Sequence, residues 1–184
     1  DVGFIGNTRV DPCSRILKRE LMDRWRDEHC DPQHTTLYYG IDWTEIHRLE
    51  RVRQRVPDWK IEAPMTLPPS INKPQMLAWC KDEGIEPPRL YKMGFAHNNC
   101  GGFCIKSGQA QFELLLRQMP ERYAYHEKRE AEVAKKIGSA SSILRDRTRN
   151  TTKPLTLRQF RENLEMQPDL FDRFDFGGCG CAME

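Results

Sequence analysis

The stretch "HNNCGGFC", residues 97–104, combines residue types that could hold an inorganic centre or present a reactive thiol. Its two cysteines, Cys100 and Cys104, are separated by Gly101, Gly102 and Phe103, and the glycines leave the backbone free to wrap so that both thiolates face one centre. The C-x3-C spacing differs from the C-x2-C pattern of zinc ribbons, which occurs nowhere in the chain. A turn with two spare thiols is the competing interpretation.

The remaining five cysteines have different local settings. Cys80 shares a helical face with apolar neighbours and is predicted to be a core residue, and Cys30 has no ligand set around it. Cys13 lies at a predicted helix N-terminus, where the helix dipole favours a thiolate. Cys179 and Cys181 lie in the glycine-rich tail "GGCGC", a setting typical of nucleophiles or late-arriving ligands. Four thiolates, from Cys13, Cys100, Cys104 and one of the two tail cysteines, suit an iron–sulfur cluster or zinc.

The composition indicates a protein without membrane spans. The chain has 184 residues, is 38% hydrophobic and 30% charged, and carries a net charge of +2. No apolar run approaches the roughly 18 residues that a membrane span needs. Seven cysteines without a secretory signal favour a reducing compartment, so a cytoplasmic location is predicted. The chain opens on Asp1 with "DVGFIGN", from which we expect the natural protein to begin earlier.

The hydrophobic pattern predicts strands and helices in alternation, followed by helices alone. Leu17, Leu21 and Trp25 predict one face of an amphipathic helix. Residues 35–41 and the segment "DWKIEAP" predict strands, separated by a helix that Asp42 caps with Glu45. The buried side of that helix is predicted to carry the apolar residues Ile46, Leu49 and Val56.

The second half of the chain is predicted to be mostly helical. Asn72 is expected to cap a helix that Gly84 ends, and Pro120 separates two further helices. Thr156 with Gln159 forms a capping box for a last helix, and the basic segment "LRDRTRNTTKP" before it is predicted to be a loop.

This order of elements predicts an α/β fold: a Rossmann-like sheet, only partly present in this chain, with a helical C-terminal portion. We divide it into residues 1–104, the C-terminal part of a nucleotide-binding domain with the cysteine loop, and residues 105–184, a helical region with a cysteine-bearing tail.

Four segments, in order along the chain, resemble the phosphoadenosine-phosphosulfate reductase family of the PP-loop, or adenine nucleotide alpha-hydrolase-like, superfamily. They are "CSRILK", "LYYGIDWTEIHR", "GIEPPRLYKMGFAHNNCGGFC" and the tail "GGCGC". The third is the closest, since it is similar to the family's Gly-Ile-Pro-x-x-x-Leu-Tyr-x-x-Gly-Tyr-x-Ser-Ile-Gly-Cys-x-x-Cys. Ser14 departs from the family's adjacent cysteine pair, and Asp42 departs from an arginine. The family's phosphate-binding Ser-Gly-Gly-x-Asp-Ser loop is absent from these residues.

The resemblance implies roles for individual residues. It implies an adenine nucleotide, ATP or a sulfonucleotide, bound by Lys18, Gly40, Ile41 and Arg48. It implies a [4Fe-4S] cluster, with zinc as the alternative, held by Cys13, Cys100, Cys104 and Cys181. Cys179, His97 or an external ligand are alternatives for the fourth position, and the reactive thiol is Cys179 or Cys181.

Two functions from different classes follow. The first is an enzyme: a sulfonucleotide reductase-like oxidoreductase with a thiol electron donor, or an ATP-dependent sulfur-transfer enzyme acting on a nucleotide or nucleic acid. The second is a metal-stabilised accessory module, for instance of a defence or CRISPR-type locus, that binds nucleic acid or a larger complex without turnover. Its phosphate contacts would come from the basic segment and from the arginine-rich helix after Asp42.

Overall fold

The computed structural model describes residues 12–138, 141–147, 151–169 and 171–177, and it has a mixed α/β fold. Its contacts divide the chain into two compact units. The first unit holds Cys13 and the described residues from Pro88 onward, and the second runs from Ser14 to Pro87. The domain boundary predicted at residue 104 stays a prediction.

Helices dominate both units, and the strands are short. The helices are α1 Pro12–Ser14, α2 Glu20–His29, α3 Ile46–Arg55, α4 Lys73–Asp82, α5 Arg89–Lys92, α6 Gln109–Gln118, α7 Pro120–Ile137 and α8 Leu157–Met166. The strands are β1 Thr36–Tyr38, β2 Lys60–Glu62, β3 Leu144–Asp146 and β4 Lys153–Leu155. A π-helical turn, Arg15–Arg19, joins α1 to α2.

The second unit is built around a β–α–β arrangement. Strands β1 and β2 pair in parallel with Leu37 opposite Ile61, and α3 lies between them in the chain. Parallel strands need such a crossover connection because the chain must return to the same end of the sheet. Ile41, Leu49 and Ala63 form the buried core of this unit. Both predicted strands and the helix between them are therefore confirmed.

Local capping sets where the helices of this unit begin. The Asp42 side chain accepts a hydrogen bond from the Thr44 amide, and a 3₁₀ turn, Trp43–Glu45, precedes α3. The predicted capping box with Glu45 is wrong, because the Glu45 carboxylate pairs with Arg48 instead. Asn72 and Gln75 do form a capping box at the start of α4.

Some apolar residues predicted to be buried are exposed. Ile46 is 54% exposed because it lies in the first turn of α3, outside the core around Leu49. Leu21 and Trp25 lie on α2 and Leu17 lies on the π-helical turn that precedes it, but the three are 51%, 55% and 71% exposed. Helical spacing therefore predicted the helix correctly without predicting burial.

The first unit has the larger core, to which α5 to α8 and the strand pair β3–β4 contribute. Its most buried side chains are Leu90, Phe95, Phe112, Leu115, Tyr123, Leu144, Leu155, Leu157, Phe160 and Leu164. The basic segment predicted to be a loop, residues 144–154, contributes β3 and the first two residues of β4, which pair antiparallel with Leu144 opposite Leu155. Burial of these two leucines explains the pairing, and the predicted loop is wrong at the strand positions that lie within it.

A buried carboxylate on α7 joins three elements of this unit. One Glu130 oxygen accepts from the Ile143 amide at 2.7 Å, and the other accepts from the Leu157 amide at 2.6 Å. Burial raises the pKa of Glu130, although both amide bonds act in the opposite direction. Tyr123 donates its hydroxyl to the Leu157 carbonyl at 2.7 Å, so the start of α8 is fixed to α7 at two points.

We expect Glu130→Gln to destabilise the protein by about 1–3 kcal/mol, because an amide side chain has only one acceptor for two buried backbone donors. Urea unfolding followed by circular dichroism measures the change. Glu132→Gln is the matched control on the same helix, since Glu132 forms an exposed ion pair with Arg129; it should change stability by less than about 0.5 kcal/mol. Equal effects of the two substitutions would contradict this role for Glu130.

Candidate functional site

The loop that carries Cys100 and Cys104 has an unusual backbone. Cys100, Gly101 and Gly102 have φ values of 52°, 60° and 86°. Cys100 is the one non-glycine residue with positive φ in the described part of the chain. Left-handed backbone is unfavourable for a residue with a side chain, so its surroundings must hold Cys100 in place. The prediction that the glycines let this loop wrap agrees with these angles.

Side chains of α6 and α7 hold this loop. The Gln111 side-chain amide donates to the Gly102 carbonyl at 2.9 Å, and Arg122 Nη2 donates to the Cys100 carbonyl at 3.2 Å. Phe103 stacks on the His126 ring with centroids 3.4 Å apart and an interplanar angle of 4°. The loop is thus fixed by carbonyl hydrogen bonds and by ring stacking.

Arg122 lies directly against the loop backbone. A Cβ atom added at Gly101 would lie 2.7 Å from Arg122 Nη2 and 3.0 Å from Cζ. The guanidinium can therefore approach the backbone only because residue 101 has no side chain. No sequence pattern predicts a role for Gln111, Arg122 or His126 at this loop, because they lie on regular helices seven or more residues after Cys104.

The cysteines of the predicted metal set differ in exposure where they are described. Cys13 and Cys100 are exposed, and Cys104 is half-buried. The division into units groups Cys13 with Cys100 and Cys104. Among the described residues, however, no three or more His, Cys, Asp or Glu side chains are grouped so that they could hold a metal ion. Cys179 and Cys181 lie outside the described residues.

The donor set is therefore incomplete for a four-ligand centre within the described part of the chain. Cys100 and Cys104 on one loop give two thiols, whereas zinc sites and [4Fe-4S] clusters take four ligands. The described residues alone do not fit either group. The assignment of Cys13, Cys100, Cys104 and Cys181 as ligands stays a prediction.

The segment that leads to the tail cysteines is attached beside the cysteine loop. Gly177 forms an antiparallel bridge with Ser107, which itself donates a backbone hydrogen bond to the Cys104 carbonyl at 3.0 Å. Asp175 caps α6: its Oδ2 accepts from the Gln109 amide at 3.2 Å, and its carbonyl accepts from the Ala110 amide at 3.0 Å. The residue preceding α6 is Gly108, which has no side chain to supply this cap.

The predicted nucleotide-binding residues all lie in the second unit. Gly40 and Ile41 follow the carboxyl end of β1, which is the edge of a parallel sheet where ligands bind in open α/β folds. Gly40 is exposed and Ile41 is a core residue, 5% exposed. Arg48 Nη1 lies 2.6 Å from Glu45 Oε1, and Lys18 is exposed on the π-helical turn.

Other arginines of α3 are also paired with carboxylates. Arg53 lies 2.9 Å from Glu50, and Arg55 lies 3.7 Å from Asp23. Phosphate binding by these side chains would have to replace an existing ion pair. The arginine count of α3 therefore overstates the positive charge that it offers to a nucleic acid.

A cleft of about 670 Å³ lies between the β3–β4 pair, α8 and the segment before Gly177. It is lined by Gln109, Asp146, Arg147, Thr151, Lys153, Leu155, Phe160, Asn163, Asp169, Phe171, Asp172 and Asp175. The sequence pattern did not predict it, because its walls combine Gln109 with residues that lie 37 to 66 positions further along the chain. Asp175 belongs to this cleft and to the α6 cap at once.

Comparison with known proteins adds no relative: the chain matches no family model, no curated protein and no solved structure. No helix in the described ranges has both the length and the apolar character needed to cross a membrane.

We expect His126 to remain neutral down to about pH 4. Burial against the loop, together with the nearby Arg122 cation, lowers its pKa to about 4. In the unfolded chain the pKa is about 6.5, so below that pH the unfolded state takes up the proton first. Stability should therefore fall as the pH drops from about 6.5 to about 4, and an NMR titration of the His126 ring measures the pKa directly.

His126→Phe is the matched variant for this prediction, because it keeps an aromatic ring against Phe103 and removes the titrating group. Its melting temperature should fall less than that of the native protein over the same pH range. A His126 pKa near the ordinary 6.5 would contradict the burial on which the prediction depends.

Proposed function

We propose that the protein is a phosphoadenosine-phosphosulfate-reductase-like enzyme that performs sulfur or adenylyl chemistry at the cysteine loop. The observation that carries the proposal is the bridge between Ser107 and Gly177. Cys104 precedes Ser107 by three residues, and Cys179 and Cys181 follow Gly177 by two and four. At no more than about 3.6 Å per residue, these chain lengths would allow the tail thiols to reach the loop thiols.

The nucleotide half of the proposal concerns the second unit. A Rossmann-like sheet of the PP-loop type would extend the β1–β2 pair and would bind an adenine nucleotide beyond the carboxyl end of β1. Gly40 would let the nucleotide approach the backbone, since nothing lies within 4 Å of a Cβ added there. Lys18 and Arg48 would contact phosphate or sulfate, Arg48 after exchanging Glu45 for the anion.

The sulfur half of the proposal concerns the thiols. Cys179 or Cys181 would supply the thiolate that attacks sulfur, and a thiol partner would supply the reducing equivalents. A [4Fe-4S] cluster held by Cys13, Cys100, Cys104 and a tail cysteine is part of the proposal, with zinc as the alternative. Such a cluster, when bound, supplies redox and electrostatic chemistry through its iron–thiolate core.

The metal content of anaerobically purified protein tests this proposal first. About four irons and four sulfides per chain, with a broad charge-transfer absorption band, would support the cluster. Cys104→Ser should then lower the iron content, whereas Cys80→Ser in the second unit should not. One zinc per chain without iron would instead favour the metal-stabilised accessory module. A chain that contains no metal would refute the assignment of the cysteines as metal ligands.

We expect the tail thiols to cross-link to the loop thiols under mild oxidation of metal-free protein. Diamide takes up the two electrons and two protons released when a disulfide forms, and peptide mass spectrometry maps the bond. Cys100 or Cys104 should pair with Cys179 or Cys181 in preference to Cys30 or Cys80.

Asp175→Ala tests whether the attached segment causes this preference. It removes the side-chain acceptor for the Gln109 and Gly177 amides, so the preferred cross-link should form several-fold more slowly. Asp169→Ala is the control, because Asp169 pairs with Arg173 at the surface of the same segment. Random pairing among all cysteines in the native protein would argue against the proposal.

A further inference from the structure

Arg122 is a half-buried cation without a counter-ion among the described residues. Its one hydrogen bond is the donation from Nη2 to the Cys100 carbonyl at 3.2 Å, and no carboxylate within the described ranges pairs with it. Its Nε is buried and has no acceptor there. Guanidinium groups taken out of water are normally paired and fully hydrogen-bonded, so this arrangement leaves binding capacity unused.

Two acidic residues further along α7, Glu127 and Glu130, are engaged elsewhere. Glu127 binds Arg161 at 2.9 Å, and Glu130 accepts two backbone amides. The charge of Arg122 instead acts on His126, whose pKa it helps to lower. Around the cysteine loop, the described contacts of Arg122 therefore include no anion that offsets its positive charge.

The shape of the guanidinium group limits which kind of anion could bind to it. It is a planar group with several N–H donors in a fixed fork, which matches the oxygens of a tetrahedral oxyanion in a bidentate way. A Cβ added at Gly101 would lie 2.7 to 3.3 Å from three guanidinium atoms, so the loop backbone covers this side of the group and an anion must bind from another side. We propose that Arg122 binds a tetrahedral oxyanion, a sulfate or phosphate group, next to the thiols of the cysteine loop.

This inference rests on the proposed function, and it adds a residue that the family resemblance does not supply. In the proposed reaction the oxyanion is the sulfur-bearing group of the substrate, which Arg122 would orient beside the attacking thiolate. Arg48, the arginine implied by the resemblance, is bound to Glu45 at 2.6 Å, whereas no carboxylate among the described residues pairs with Arg122.

NMR of the full chain tests the proposal with inorganic ions as probes. Sodium sulfate and sodium phosphate are titrated separately, each against sodium chloride at the same ionic strength, and the Arg122 Nε–Hε signal is followed. Arg122→Lys identifies that signal by its loss. We expect a saturable shift with sulfate or phosphate and none with chloride; whichever ion binds more tightly identifies the oxyanion class.

Matched variants separate binding at Arg122 from a general charge effect. Arg122→Gln should weaken the affinity for the oxyanion about tenfold or more, Arg122→Lys should weaken it less, and Arg129→Gln should leave it unchanged. Arg129 lies on the same helix and is paired with Glu132 at the surface. If Arg122→Gln does not fold, the native titration and Arg122→Lys still decide. Unchanged affinity in the Arg122 variants, or an equal shift with chloride, would overturn the proposal.

The outcome is distinguishable from failure of the proposed function. Oxyanion binding through Arg122 in a chain that has no metal and no turnover would keep this inference and refute the enzyme. A protein that contains iron and sulfide and shows turnover, but whose oxyanion affinity is unchanged by Arg122→Gln, would keep the enzyme and refute this inference.

Discussion

The start of helix α6 is the point on which the candidate site depends. Gly108 precedes the helix and has no side chain, so the first amides of α6 would be left without acceptors. Asp175, more than sixty residues further along the chain, supplies them with its carboxylate and its carbonyl. A local need for a helix cap thereby fixes the segment before Gly177 next to the segment after Cys104, and the proposed function depends on this juxtaposition.

The same helices hold the cysteine loop in a conformation that its sequence would not favour alone. Left-handed backbone at Cys100 costs about 1–2 kcal/mol, and the loop compensates through its contacts with α6 and α7. The hydrogen bonds from Gln111 and Arg122 and the stacking of His126 on Phe103 all come from regular helices. A strained loop on a rigid support is an arrangement that favours function, because the support pre-orders groups that would otherwise be mobile.

Local features of the fold could be predicted from the sequence, and long-range ones could not. The capping boxes at Asn72 and Thr156 were predictable because both partners lie within four residues. The β–α–β order and the break between α6 and α7 at Pro120 were also predictable, because they depend on residues close together in the sequence. The pairing of β3 with β4 was missed because polar and basic residues surround the two buried leucines in the sequence. The exposure of Leu17 was missed because helical periodicity shows which residues share a helix face, but not whether another element packs against that face.

The candidate site also has local features that the sequence predicts and long-range contacts that it does not. The glycines of "HNNCGGFC" predicted a wrapped loop, which the backbone angles bear out. The sequence pattern could not single out Arg122, because Arg122 and Arg129 are both arginines on the same charged helix. Arg129 forms only an exposed ion pair with Glu132. The difference between them lies in the neighbours that folding provides: Arg129 finds Glu132, whereas Arg122 finds a carbonyl, a glycine and a thiol-bearing loop. Charge counted along the sequence would direct attention to α3, where Arg48 and Arg53 are already neutralised by carboxylates. Arg122, by contrast, lies beside the cysteines, and no described carboxylate pairs with it.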